Sequence, residues 1–119
     1  MGARQQTSPR IDYAGRLFAP AELVDAEADR PIGHYHQDGD MVWAEFRGGS
    51  IRAGRLVGTV RPDDTIDAAY CLLTTSGETV SGSCVSKPTV LDDGRIRLTE
   101  HWRRLDGSIG TSRIEELAS

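Results

Sequence analysis

The sequence predicts an all-β fold, a small antiparallel up-and-down barrel of about eight strands. Three observations predict it. Turn signals recur at short intervals: Asp38-Gly39, Gly48-Gly49, Pro62-Asp63-Asp64, Ser76-Gly77, Asp92-Asp93-Gly94 and Asp106-Gly107. Asp-Gly and Gly-Gly steps supply the positive φ that tight hairpins require. Between the turns lie runs rich in Val, Ile, Thr, Tyr and Trp, the residues that suit a pleated, half-buried surface. No helix of crossover length separates these runs, so consecutive strands must be antiparallel neighbours. Such a meander exposes two edges unless it closes, and closure into a barrel removes both. A two-sheet sandwich is the alternative.

The elements follow in order. Residues 1–9 are polar and are expected to be disordered, leaving residues 10–119 as a single barrel domain. Gly15-Arg16-Leu17-Phe18 reads as a first strand. "PAELVDAEADR", Pro20 to Arg30, has helical composition but is short and is stopped by Pro31, so one helical turn and an irregular loop are equally open. "HYHQ", "MVWAEF", "SIRAGRLVGTV", "TIDAAYCLLTT", "ETVSGSCVS", "RIRLTEHWRR" and "SIGTSRIEEL" supply the remaining strands. A closed meander of this kind is calycin-like.

Composition excludes several function classes. The chain has 119 residues, of which 38% are hydrophobic and 6% aromatic, so the core is expected to be modest. Fourteen basic residues stand against 18 acidic ones, a net charge of −4. Nucleic acid and anionic membranes demand a basic excess to meet phosphates, and neither is expected as a partner. No apolar run approaches the ~18 residues of a membrane span. "MGARQQTSPR" lacks the apolar segment of a secretory signal, so a cytoplasmic location is expected. Cys71 and Cys84 flank the Ser76-Gly77 turn and are read as reduced; no CxxC spacing suggests zinc.

The firmest site signal lies in "RIRLTEHWRR". Ile96, Leu98, Glu100 and Trp102 share one face of a strand, while Arg95, Arg97, Thr99, His101 and Arg103 face the other way. A carboxylate in an apolar stripe must have a partner, carry a proton, or face a wet cavity. Glu100 is therefore the best candidate for a catalytic group, with a structural pair to an inward Arg or a Tyr hydroxyl as the competing reading. Arg95, Arg97, Arg103 and Arg104 read as a basic outer face that answers Glu115 and Glu116 across the last hairpin.

In "HYHQ", Tyr35 and Gln37 share a face opposite His34 and His36. In "MVWAEF" both faces are apolar, so orientation is ambiguous: Val42, Ala44 and Phe46 can form the core, or Trp43 and Glu45 can point inward. The second choice is preferred by a small margin. It gives an interior of Tyr35, Gln37, Trp43, Glu45, Glu100 and Trp102, an aromatic pocket with polar anchors. His34-x-His36 has the spacing of a two-imidazole metal site, but Asp40 belongs to the turn and His101 faces outward. Solvated histidines are the expectation, with no metal.

From Gly15 onward the chain resembles a group of small bacterial proteins labelled "n-acetylglutamate synthase". The resemblance is carried by "GRLF", "HYHQDGDMVWAEFRGGSIRAGRLVG", Cys84 with Ser86 and Pro88, "DGRIRLTEHW" and "SRIEEL". Members of the group carry Tyr-x-His-x-Asn where this chain has Tyr70-Cys71-Leu72-Leu73-Thr74. Tyr70 is kept and joins the ligand-binding candidates, whereas the His and Asn positions hold Leu72 and Thr74. The resemblance implies a compact β-protein. Its label implies acetyl transfer from coenzyme A, which needs a glycine loop opening a helix to cradle pyrophosphate. "RGGSIRAG", Arg47 to Gly54, runs into the strand-like "RLVGTV" and reads as a glycine-rich hairpin, so acetyltransferase activity is not expected.

The sequence thus points to a barrel that binds a small organic ligand in its interior. A cyclase- or isomerase-type acid/base reaction without a cofactor is one form this function takes. A non-enzymatic structural or partner-binding module is the alternative. The ligand, the oligomeric state and the inward face of residues 66–86 stay open.

Overall fold

Eight strands pair in chain order, each antiparallel to the next, and the last returns to the first to close a barrel. The computed structural model describes residues 11–118, so the expected disorder of residues 1–9 lies outside the described residues. The strands are β1 (Leu17–Pro20), β2 (Ile32–Asp38), β3 (Met41–Gly48), β4 (Ile51–Val60), β5 (Ile66–Thr74), β6 (Thr79–Val90), β7 (Ile96–Arg104) and β8 (Ile109–Glu116). The expected barrel is the observed one. The helical-looking stretch after Pro20 forms a single 3-10 turn, Ala21–Leu23, the first of the two alternatives. β6 runs beyond its expected end and takes in Pro88. The ring is tolerated there because Pro88 pairs only with Leu98 of β7, the β5 ladder having stopped at Ile66 and Ser86.

Closure falls to β1, the shortest strand. Phe18 lies opposite Gly33 of β2 on one side and Glu116 of β8 on the other. Leu117 donates its backbone N–H to Leu17 at 2.8 Å, extending the seam by one bond. Arg16 clasps the Glu116 carboxylate at 2.9 and 3.0 Å, and the same carboxylate accepts the Ile96 N–H at 3.1 Å. Glu116 thereby ties the segment before β1 to β7 and β8.

One end of the barrel is filled. Tyr13, Phe18, Tyr35, Val42, Val60, Ile66, Ile96 and Leu98 are buried in one cluster. The segment before β1 crosses this end, and Tyr13 is its plug. Its hydroxyl donates to the Asp64 carbonyl at 2.7 Å, and its backbone N–H donates to Gln37 Oε1 at 2.9 Å. The Ile11 N–H donates to Asp64 Oδ1 at 2.8 Å. Asp64 sits in the Pro62-Asp63-Asp64 turn at φ 72°, a left-handed conformation that Asp tolerates better than most side chains.

β7 follows the expected alternation with one adjustment. Ile96 and Leu98 are buried and Arg103 is exposed, but Trp102 is half-buried near the open end. Arg97 is partly shielded because Glu115 takes it at 2.6 Å, the cross-hairpin pairing expected for this face.

The preferred orientation of β3 is corrected. Val42 and Ala44 are buried and Phe46 packs on the core, which puts Trp43 and Glu45 on the outer surface. The cause is turn length. Asp38 pairs with Met41, leaving a two-residue loop at Gly39 and Asp40, and such a loop always sets odd positions of one strand against even positions of the other. Tyr35 therefore lies opposite Ala44, and Gly33 opposite Phe46.

Tyr13→Ala removes a fully buried ring and its hydroxyl bond. We expect a loss of about 3–5 kcal/mol, read from urea unfolding. A loss below about 1 kcal/mol in that measurement would show that the plug is dispensable.

Candidate ligand-binding site

The other end of the barrel is open. A cavity of about 930 Å³ descends from it, lined by Phe46, Leu56, Tyr70, Leu72, Cys84, Glu100, Trp102 and Arg104 among others. Its existence follows from where the glycines fall. Phe46 lies opposite Gly33 on β2 and Gly54 on β4; Tyr70 lies opposite Gly82; Trp102 lies opposite Gly110. Each aromatic ring lies across a strand that offers no side chain of its own. A Cβ at Gly33 would strike the Phe46 ring, one at Gly110 would strike Trp102, and one at Gly82 would stand 2.9 Å from the Tyr70 hydroxyl. The rings lie back against the wall, and the middle is left open.

The wall itself is incomplete beside this cavity. β1 reaches β8 only between Ile114 and Glu116, so the Ile109–Arg113 edge has no strand on that side. Cavity-lining residues lie on both faces of β8, Ser112 and Ile114 within and Thr111 and Arg113 outside. The cavity therefore reaches round this edge beneath the loop that carries Ala21 and Glu22.

Glu100 stands in the cavity wall opposite Ser86 of β6. Burial raises its carboxyl to about 7, and a hydrogen bond from the Ser86 hydroxyl opposes that rise. No ion pair to Glu100 forms among the described residues, which removes the inward-Arg explanation of its position there. Near pH 7 the group is present in both forms, able to accept as a carboxylate or donate as an acid. Cys84 lies on the same wall. Burial, and after it the Glu100 charge, pushes the thiol up to about 11, so it stays protonated.

Tyr35 is fully buried against Phe18, at 5.0 Å and 64°, and Phe46, at 5.9 Å and 89°. Its hydroxyl has no hydrogen-bond partner among the described residues. Burial first, then the Glu100 charge, raises it well above the ordinary tyrosine range. A protonated phenol and a half-titrated carboxyl thus sit close enough to feel each other and share no direct bond.

At the mouth, Trp102 donates its indole N–H to Ser112 Oγ at 3.0 Å, and the Arg104 guanidinium lies 4.8 Å from its ring centroid. Burial raises the Tyr70 pKa, and the nearby Arg104 guanidinium opposes that rise. The placement of Arg104 with the outer basic residues is corrected here. It has the parity of Glu100 and Trp102, and the same two-residue period that placed those two on the inner face places it there too.

The proposed ligand-binding residues divide three ways. Tyr70, Glu100 and Trp102 line the cavity, and Tyr35 lies buried behind Phe46. Gln37 points into the barrel but at the filled end, where it holds Tyr13 and donates to the Gly39 carbonyl at 2.9 Å. Trp43 and Glu45 face outward. His36 Nε2 meets Glu45 Oε1 at 2.8 Å and stacks on Trp43 at 5.3 Å and 17°. Phe46, Leu72 and Arg104 were absent from the expected site. Parity, with the two-residue Gly39-Asp40 loop, gives Phe46 and Arg104; Leu72 shares the face of Tyr70 two residues earlier and stands where the resembled group carries His.

In comparisons with known proteins, a family model described as avidin-like protein matches residues 11–117. No curated protein and no solved structure gives a significant match.

The raised Glu100 pKa has a stability consequence with a definite sign. Its folded value, about 7, exceeds its unfolded value near 4.5. Its contribution is therefore intact below about pH 4.5 and is lost as pH rises through about 7. Relative to wild type, Glu100→Gln should gain stability across that window and reach a plateau above it, by up to about 3 kcal/mol. Thermal melts at pH 4.5, 6 and 8 measure this, and a mutant uniformly less stable than wild type would contradict it.

Proposed function

The chain belongs to the avidin-like family, whose barrels bind small molecules, and from that premise we propose that this barrel binds a small organic ligand in its open end. The observation that carries the reading is Glu100, a half-buried, largely desolvated carboxyl with no ion-pair partner among the described residues, beside the rings and aliphatic groups of the cavity wall. If this position served packing alone, an apolar side chain of the same volume would serve it better, because a desolvated carboxylate costs stability and returns none. A ligand group that bonds to it recovers that cost on binding.

The lining sets the ligand's shape and chemistry. A polar head bearing hydrogen-bond donors meets Glu100. A flat apolar body lies between Phe46, Leu72 and Trp102, where offset ring contacts add to simple burial. A polar or anionic end meets Arg104, which has no carboxylate partner of its own among the described residues and is already oriented by Trp102 and Tyr70. Entry is through the barrel end or past the unpaired edge of β8.

A second reading, proton transfer to or from the bound molecule, is favoured by one observation. A carboxyl near 7 holds and releases protons at neutral pH, as a general acid or base must. Binding precedes any such step and is the part that can be tested first.

Native mass spectrometry of gently purified protein should show a small-molecule adduct on wild type. Trp102→Ala and Glu100→Gln should each weaken retention of that molecule by about tenfold or more, ~1.4 kcal/mol or more. The proposal fails if wild type carries no adduct and no member of a panel of polar ring compounds raises its melting temperature.

A further inference from the structure

The outer face of the β2–β3 hairpin carries a second constellation, and the outward turn of Glu45 creates it. His34 and His36 alternate outward along β2, and their rings lie 4.4 Å apart. Glu45 lies directly opposite His34 on β3, and Trp43 directly opposite His36. One donor atom from each of His34, His36 and Glu45 can be chosen so that all lie within 4.8 Å of one another. Spacing along the sequence offered two imidazoles and no carboxylate to join them; the register of the hairpin brings one.

We propose that His34, His36 and Glu45 form a surface site for a first-row divalent cation of the zinc type, each residue giving one ligand atom. The donor set is two imidazole nitrogens and one carboxylate oxygen, suited to zinc with a remaining position open to water. A metal 2.0–2.1 Å from each ligand needs ligand atoms roughly 3.4 Å apart, so small rotamer adjustments suffice. The scaffold is rigid where it needs to be. β2 and β3 are in continuous register from Ile32 to Asp38, and Trp43 holds the His36 ring in a stack. The present His36–Glu45 hydrogen bond, at 2.8 Å, already points the two ligands at one spot. Metal binding replaces that bond: the proton His36 Nε2 shares with Glu45 is given up to water, and the neutral ring coordinates through Nε2 with its one proton on Nδ1. Arg55, opposite Glu45 on β4, turns its Nη1 to the Gly54 carbonyl at 2.8 Å. This site is on the opposite side of the sheet from the cavity and is independent of the ligand proposed there.

The test uses full-length protein without a histidine tag. Zinc titration by calorimetry should give one equivalent bound. His34→Ala, His36→Ala and Glu45→Gln should each weaken zinc binding by about tenfold or more. His101→Ala is the control, because His101 faces outward on β7 and should leave binding unchanged. Copper(II) added to the protein should quench Trp43 fluorescence through the stacked His36, and Trp43→Phe should remove that quenching while zinc still binds. Far-UV spectra and melts establish that each variant keeps its fold. No saturable zinc binding to wild type overturns the proposal. So does binding that Glu45→Gln leaves intact, or that His101→Ala weakens as much as His36→Ala.

Discussion

Closing eight strands on themselves fixes the space that their inward side chains must fill, and the rest of this structure is an answer to that constraint. A barrel of this size is just wide enough for its interior to be packed by ordinary side chains or to hold one small ligand. This chain does both, at opposite ends. Toward the Tyr13 end the inward positions are taken mostly by rings and branched aliphatic groups, with Gln37 bonded to the Tyr13 backbone, and the segment before β1 seals it. Toward the other end three inward rings, Phe46, Tyr70 and Trp102, each lie opposite a glycine on a neighbouring strand. A modest supply of apolar residues is thereby concentrated where it stabilises, and the cavity is made by omission.

The balance between stability and a usable cavity shows most clearly at Glu100. The filled end gains from burial at about 25 cal/mol per Å² of apolar surface. The open end forgoes that gain and carries a carboxyl whose charged form is disfavoured by burial. The Ser86 hydroxyl favours the charged form, but by less than desolvation disfavours it. The closing seam reflects the same economy: β1 is four residues long, and Arg16 and Glu116 reinforce it from outside the core. A longer β1 would close the β8 edge and with it the side entrance.

How much of this was legible depends on which side chains declare their face. In β7 the polar residues between Ile96, Leu98 and Trp102 make the alternation unambiguous, and Glu100 follows from it. In β3 Val42, Trp43, Ala44 and Phe46 are all apolar, so hydropathy gives no parity, and the two large polar-tipped residues were the natural choice for a pocket. The information lay in the hairpin instead, since a two-residue loop links the parity of β3 to that of β2, where Tyr35 is flanked by two histidines. Gln37 illustrates a different limit. Its face was right, but its partner is the Tyr13 backbone, 24 positions earlier, and no local pattern reports a segment folding back across the barrel end. The cavity was least legible of all, because a glycine in a strand reads as a weak strand former and not as the seat of a ring from the neighbouring one.

The same hairpin explains why its register cannot drift. Period two sends Gly33, Tyr35, Ala44 and Phe46 inward and His34, His36, Trp43 and Glu45 outward. A slip of one residue would exchange the inward and outward side chains of the strand that slips. A slip of β2 would carry His34 and His36 into the barrel and Tyr35 into solvent; a slip of β3 would carry Glu45 inward, toward a carboxyl with no ion-pair partner among the described residues, and Phe46 out. Each buried polar group would cost on the order of 1–3 kcal/mol without a partner, a large share of the roughly 5–15 kcal/mol by which small domains are stable, and the exposed ring adds to that loss. The outer cluster is therefore part of what specifies the inner one: polar side chains that bind nothing inside the barrel keep the rings that line it facing the right way.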